Sequence, residues 1–176
     1  MKKASFILMA LALVAMLFTG CTTQQIVSGS TFTVKDSFTN SDGEIEEILT
    51  SEVFFVFAKD GTGTMKATNT YGSSEDFSTC NNYMNFKWLT DDSACTVTIT
   101  ASSYTEGDYT IDDSIVLVGT LENNTLSFEF DQNDIETNVY IVEFVFATYK
   151  KWYAATFDEY GLDYSKWPKL TISLTK

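Results

Sequence analysis

The feature that most constrains this chain is period-two alternation of apolar and polar residues over short segments, repeated along residues 32–174 with turn signals between them. Side chains that return to one face every second position are the signature of a half-buried strand. Phe32, Val34 and Phe38 share one face, with Thr31, Thr33 and Lys35 on the other. Phe86 and Trp88 flank Lys87. Cys95, Val97 and Ile99 alternate with Thr96, Thr98 and Thr100. Leu126, Phe128 and Phe130 alternate with Ser127 and Glu129, and Leu170, Ile172 and Leu174 form a last alternating row. Tyr140, Val142, Phe144 and Phe146 are also in phase and predict a strand. Residues 53–58 are continuously apolar, which suits a strand covered on both faces. Residues 64–71 and 114–121 complete the strand set, and residues 44–49 are ambiguous.

Turn chemistry separates these rows. Residues 40–43 (NSDG), 59–62 (KDGT), 90–93 (TDDS) and 122–124 (ENN) are rich in Asn, Asp, Ser and Gly, with Gly61 placed to take a positive φ. Residues 72–82 and 103–112 read as polar loops. One segment departs from the pattern: Tyr149, Trp152, Tyr153, Phe157 and Tyr160 recur at helical spacing before Gly161, which predicts a short helix over 150–160. Short strands at regular spacing with tight turns indicate an all-β protein. The simplest solution is an antiparallel up-and-down β-barrel of eight or nine strands with one short C-terminal helix, because closure removes exposed edges.

The N-terminus carries a different signal. Lys2 and Lys3 precede an apolar run over residues 4–18, too short to span a bilayer comfortably, and small residues then lead to Cys21. This is the order of a signal peptide over 1–20. The stretch Leu17-Phe18-Thr19-Gly20-Cys21 resembles the bacterial lipobox, with Phe18 where leucine is commoner. The resemblance implies lipidation of Cys21, including a palmitate-type acyl chain, and anchoring in the cell envelope. Thr22 rather than Asp after the cysteine favours the outer membrane of a two-membrane bacterium. Residues 21–30 then read as a lipidated tether and 31–176 as one domain, large enough for one sizeable core.

Charge and residue usage exclude several chemistries. Without Lys2 and Lys3, 9 lysines face 24 acids, a net charge of −15, and there is no arginine. Phosphate backbones need cationic partners, so nucleic acid is not an expected partner. The absence of histidine removes Ser-His and Cys-His nucleophile pairs and His-ligated zinc. Carboxylate-only chemistry and calcium binding survive that absence, but no nucleophile is recognisable, and the chain is read as a non-enzyme with no catalytic residues, no cofactor and no metal. Cys80 and Cys95 remain in an exported protein, where a disulfide is permitted. A straight strand would hold them ~25 Å apart, so a bridge requires residues 80–84 to fold back. Otherwise Cys95 is a small core residue in phase with Val97. Both readings stay open.

The segments 53–64 (VFFVFAKDGTGT), Phe86-Lys87-Trp88 before a turn and a Thr-rich strand, and 118–126 (VGTLENNTL) resemble the lipocalin-like (calycin-like) lipoproteins of bacteria. The resemblance covers about residues 32–130, with Gly29-Ser30-Thr31-Phe32 where those proteins commonly carry Gly-x-Trp. It implies a cup that holds a small apolar or amphipathic ligand.

The aromatic content, 15% of residues, supplies the expected lining: Phe55, Phe57, Phe86, Trp88, Phe128, Phe130, Tyr140 and Phe144. The same residues equally suit a filled core. Two other motifs read as turns: 60–64 (DGTGT), which lacks the spacing of an EF-hand and the lysine of a P-loop, and 131–134 (DQND), whose oxygens otherwise suit calcium. Glu44, Glu46 and Glu47 read as a solvated stretch and not half of a carboxylate pair. The competing functional reading is a packed barrel that acts through its surface loops.

Overall fold

The computed structural model describes residues 22–41, 46–73, 76–137 and 143–176, with the side chains of Ser41, Glu46 and Thr137 excepted. Ten strands form one antiparallel sheet: β1 (Thr31–Ser41), β2 (Glu46–Phe57), β3 (Thr62–Ser73), β4 (Asp76–Asp91), β5 (Thr96–Ala101), β6 (Tyr104–Glu106), β7 (Tyr109–Ile111), β8 (Ile115–Glu122), β9 (Thr125–Phe130) and β10 (Leu170–Thr175). Eight of them close on themselves in the order β3-β2-β1-β10-β9-β8-β5-β4, with β3 paired back to β4. The result is a closed up-and-down barrel of lipocalin-like architecture. The β6–β7 hairpin branches from β4. Among the described residues three α-helices, α1 (Thr23–Val27), α2 (Gln132–Thr137) and α3 (Phe146–Tyr160), and a 3-10 turn (Tyr164–Lys166) accompany it.

The two ends of the barrel differ because its strands differ in length. Strands β1–β4 run 11 to 16 residues, whereas β5, β9 and β10 have 6 each. The long strands therefore rise as a tall wall on one side. The space above the short ones is occupied by the β6–β7 hairpin and the segment carrying α2 and α3. We call this upper end the mouth. The base holds the turns after β2, β4 and β8, helix α1 and the C-terminus.

The inner face changes character along the wall. Near the base it is apolar: Phe32, Val53, Phe55, Phe57, Met65, Ala67, Met84, Phe86 and Trp88 are buried. Higher up, the same inward phase carries Ser51, Asn69 and Asn82, all buried and all hydrogen-bonded. Gly63 permits a close approach of the two walls, since a Cβ there would enter the Phe86 ring. Trp88 seals the base by donating from Nε1 to the carbonyls of Thr62 at 2.9 Å and Ala58 at 3.2 Å.

Several expectations are corrected. Residues 22–30 are no free tether. Thr22 and Gln25 form a reciprocal capping box at the start of α1, Val27 is fully buried, and Gly29 N–H donates to the Phe57 carbonyl at 2.8 Å. A barrel needs a plug at its base, and one apolar residue on a short helix supplies it. Residues 72–82 are no loop: β3 and β4 pair continuously from Thr62↔Lys87 to Ser73↔Asp76. Backbone ladders do not require apolar side chains, so polar composition concealed these strand ends.

The strand expected to contain Phe144 and Phe146 is helical from residue 143. Phe144 and Val145 are consecutive yet both buried, which period two forbids and tertiary packing imposes. Tyr140 lies outside the described residues. Only one face of residues 53–58 is fully covered, for Val56 is 43% exposed. Cys95 is no core residue. It sits exposed in the β4–β5 turn with φ +53°, and both it and Cys80 are free thiols at opposite ends of β4.

Candidate functional site at the barrel mouth

Most of the expected ligand lining is packed core. Phe55 meets Phe128 at 5.8 Å, Phe86 at 5.9 Å, Phe144 at 6.3 Å and Phe57 at 6.5 Å between ring centroids. Phe57 in turn meets Phe86, Phe32 and Trp88 at 5.3 to 5.7 Å, and Phe128 stacks on Phe130 at 6.5 Å. These are the separations of aromatic pairs in contact, each contributing about 0.5–1.5 kcal/mol beyond burial. The lower barrel is filled by its own rings.

Phe144 arrives from above and caps this stack, touching Phe55 below and Tyr104 beside it at 6.5 Å. The polar upper wall holds it there. Asn69 and Asn82 both donate side-chain N–H groups to the Glu143 carbonyl, the latter at 3.2 Å. Ser51 Oγ donates to Asn69 at 2.6 Å and accepts the Ala147 N–H at 2.9 Å. A buried amide left unpaired costs roughly 1–3 kcal/mol, so this network fixes the 143–147 segment in the mouth. Lys151, bonded to Asp36 at 3.1 Å, secures α3 across the upper part of β1.

Above the plug, space remains between the tall wall and the 143–150 segment. A hollow of about 300 Å³ is lined by Glu47, Leu49, Tyr71, Gly72, Ser73, Phe146 and Lys150. A deeper one of about 140 Å³ is lined by Asn69, Tyr71, Cys80, Asn82, Glu106, Glu143 and Phe146. Tyr71 and Phe146 belong to both, so the two are halves of one cleft. Leu49, Asn69, Tyr71, Cys80 and Asn82 lie in the inward phase of β2, β3 and β4, which makes the cleft the unfilled top of the cup. A larger depression of about 670 Å³ lies elsewhere. It is bordered by outward-facing Val56, Thr62, Thr64, Asn85 and Lys87, and is an open strand surface.

The electrostatics of the cleft are one-sided. Burial first, and the Glu106 charge second, push the Glu143 carboxyl above its ordinary value, while a hydrogen bond from Tyr104 pulls it back in part. Burial likewise raises Tyr104 and Cys80, each with added repulsion from neighbouring carboxylates. Lys150 is the one cation of the lining, and its Nζ stands 5.2 Å from the Phe146 ring centroid.

The other sequence motifs resolve as local structure. Asp60 accepts from Thr62 N–H at 3.0 Å and Thr62 Oγ1 at 2.7 Å, a turn-closing pair that lowers its pKa. Asp131 and Asp134 cap α2 reciprocally at 2.9 and 3.0 Å. Glu47 stands at the mouth, and Glu44 lies outside the described residues. Of the described aromatics expected to line a cup, Phe86 and Trp88 border only outer depressions, and none borders the cleft. The cleft residues carried one signal in sequence: polar Asn69 and Asn82, like Ser51 beside them, in the phase of buried apolar neighbours.

No protein-family model, curated protein or solved structure matches the chain.

Proposed function

We propose that this chain is a lipid-anchored protein of the bacterial envelope that binds a small amphipathic molecule at the mouth of its barrel. The anchor rests on the lipobox-like stretch ending at Cys21, which places a diacyl thioether and a further acyl chain at the start of the mature protein; more than one chain is what stable anchoring needs. In an envelope with two membranes, Thr22 in place of aspartate favours the outer one. The binding role rests on one observation: the top of the cup is left open as an aromatic-walled cleft with a few inward polar groups. Pockets for small molecules combine those features. No catalytic step is proposed.

Burial of ligand surface on Leu49, Tyr71 and Phe146 supplies about 25 cal/mol per Å², and the polar rim orients the head group. The cleft also predicts what does not respond. Trp88 lies eight residues below Cys80 on β4, ~26 Å along the strand. A neutral apolar dye, N-phenyl-1-naphthylamine, is expected to bind residues 22–176 saturably, to lose that binding in Tyr71→Ala, and to leave Trp88 emission unchanged. Dye binding that alters Trp88 and survives Tyr71→Ala would move the site into the barrel interior.

The ring-filled interior favours one other reading, a packed barrel that acts through its exposed loops and holds no ligand. Absence of any saturable dye binding would select it. Fractionation tests the anchor separately: Cys21→Ser is expected to release the chain from membranes, and unchanged membrane association would refute lipid attachment there.

A further inference from the structure

We propose that the ligand of the mouth cleft carries a cationic head, an ammonium group, seated by Glu106 and Glu143 with its apolar part against Tyr71 and Phe146. This rests on the cleft being a binding site and adds the chemical class of what it takes. The polar groups of the deeper hollow are unequal in what they leave free. The side-chain N–H groups of Asn69 and Asn82 are turned inward to the Glu143 carbonyl. The Asn82 oxygen accepts from Cys80 at 3.2 Å, and the Asn69 oxygen accepts from Ser51. What remains in the lining is Tyr71 and two carboxylates, Glu106 and Glu143, which repel one another, Glu143 also accepting a hydrogen bond from Tyr104. An ionised carboxylate only accepts, so the pair selects a donor, and paired negative charge in a partly dehydrated hollow selects a cation.

The aromatic walls point the same way. A ring face attracts ammonium groups within ~6 Å of its centroid. The chain already uses Phe146 so, with Lys150 Nζ at 5.2 Å. A ligand ammonium meets the same kind of wall at Tyr71, with carboxylates beside it. Fatty acids and other anionic amphiphiles meet repulsion in the same place.

The test compares three probes of equal chain length, octylammonium, octanoate and octanol, by calorimetric titration of residues 22–176, which contain every described element. Octylammonium is expected to bind at least about tenfold more tightly than octanoate. The double substitution Glu106→Gln/Glu143→Gln, which keeps the Glu143 carbonyl that Asn69 and Asn82 require, should weaken octylammonium about tenfold and octanol little. Equal or tighter binding of octanoate or octanol overturns the cationic assignment while leaving the cleft as the site. Binding of none of the three removes the cleft as a site and the cationic ligand with it.

Discussion

Single residues in this protein are constrained by what they pack against more than by their type. Phe55 touches four other rings, so Phe55→Ala should cost about 3–5 kcal/mol in urea unfolding. A loss below 1 kcal/mol would mean the ring stack is loose enough to collapse or to admit a guest. Gly63 and Gly107 make a paired test. A Cβ at Gly63 enters the Phe86 ring, whereas one at Gly107 meets nothing within 4 Å and suffers only the positive φ. Gly63→Ala should therefore destabilise by about 1–3 kcal/mol and Gly107→Ala by about 1 or less.

Glu143 gives a pH test with a definite sign. Its carboxyl is raised above the ordinary 4.5 by burial and by Glu106. Tyr104 and Cys80 also face it, and both stay protonated near neutral pH. Below the unfolded value the carboxyl is neutral in both states and costs nothing. As pH rises toward the folded value, the unfolded chain releases its proton first, and stability falls. Glu143→Gln should raise the melting temperature at pH 7, with the gain shrinking to nothing below pH ~4. A gain that persisted in acid would assign the effect to packing.

Elements differ in how firmly they hold the barrel closed. The pairing of β1 with β2 runs through eleven registered residues, but β1 meets β10 at one, Thr33↔Thr175. Above that bridge the seam is spanned by α3 and the Lys151–Asp36 pair, not by a ladder. Among the eight barrel strands, amide hydrogen exchange should be fastest along upper β1 and β10, since local opening follows the sparsest hydrogen bonding. Uniform protection around the barrel would contradict a weak seam. Helix α1 is the opposite case. Its five residues would not hold together alone, yet Val27 is fully buried and Lys176 Nζ reaches the Ile26 carbonyl at 3.1 Å. Val27→Asp should destabilise the whole barrel by about 3 kcal/mol or more, an effect that a free tether would not show.

At the scale of the molecule, α1 sets a direction. It starts two residues after Cys21 and is bound directly to the base, so the lipid proposed at Cys21 would hold the base at the bilayer surface. The mouth then points away, about 30 Å distant for a tilted twelve-residue strand. The mouth end carries Asp76, Glu106, Asp108, Asp112, Asp113 and Asp131, an end that an anionic leaflet repels, while at the base Asp60, Asp91, Asp92 and Glu122 are partly offset by Lys59 and Lys176. On lipid vesicles bearing nitroxide quenchers, a fluorophore at Asn123 should be strongly quenched and one at Asp108 hardly at all. Equal quenching at the two would mean the domain swings freely.

The sequence by itself determined the fold class, because alternation is a local property that each strand shows whether or not its partner is known. It also determined the base turns and the C-terminal helix with Gly161 as its stop. Only the tertiary structure decided where the cup is full and where it is open. A row of inward aromatics reads the same in a packed barrel and a hollow one. Which it becomes depends on the rings arriving from the opposite wall and on Phe144 descending from the mouth. The cleft was hidden for the same reason: its residues come from β2, β3, β4, β6 and α3, and nothing local to Glu106 or Glu143 says they share one hollow. Tertiary structure also turned residues 22–30 from a tether into a plug. One buried Val27 outweighs a polar composition when a barrel base would otherwise stand open to water.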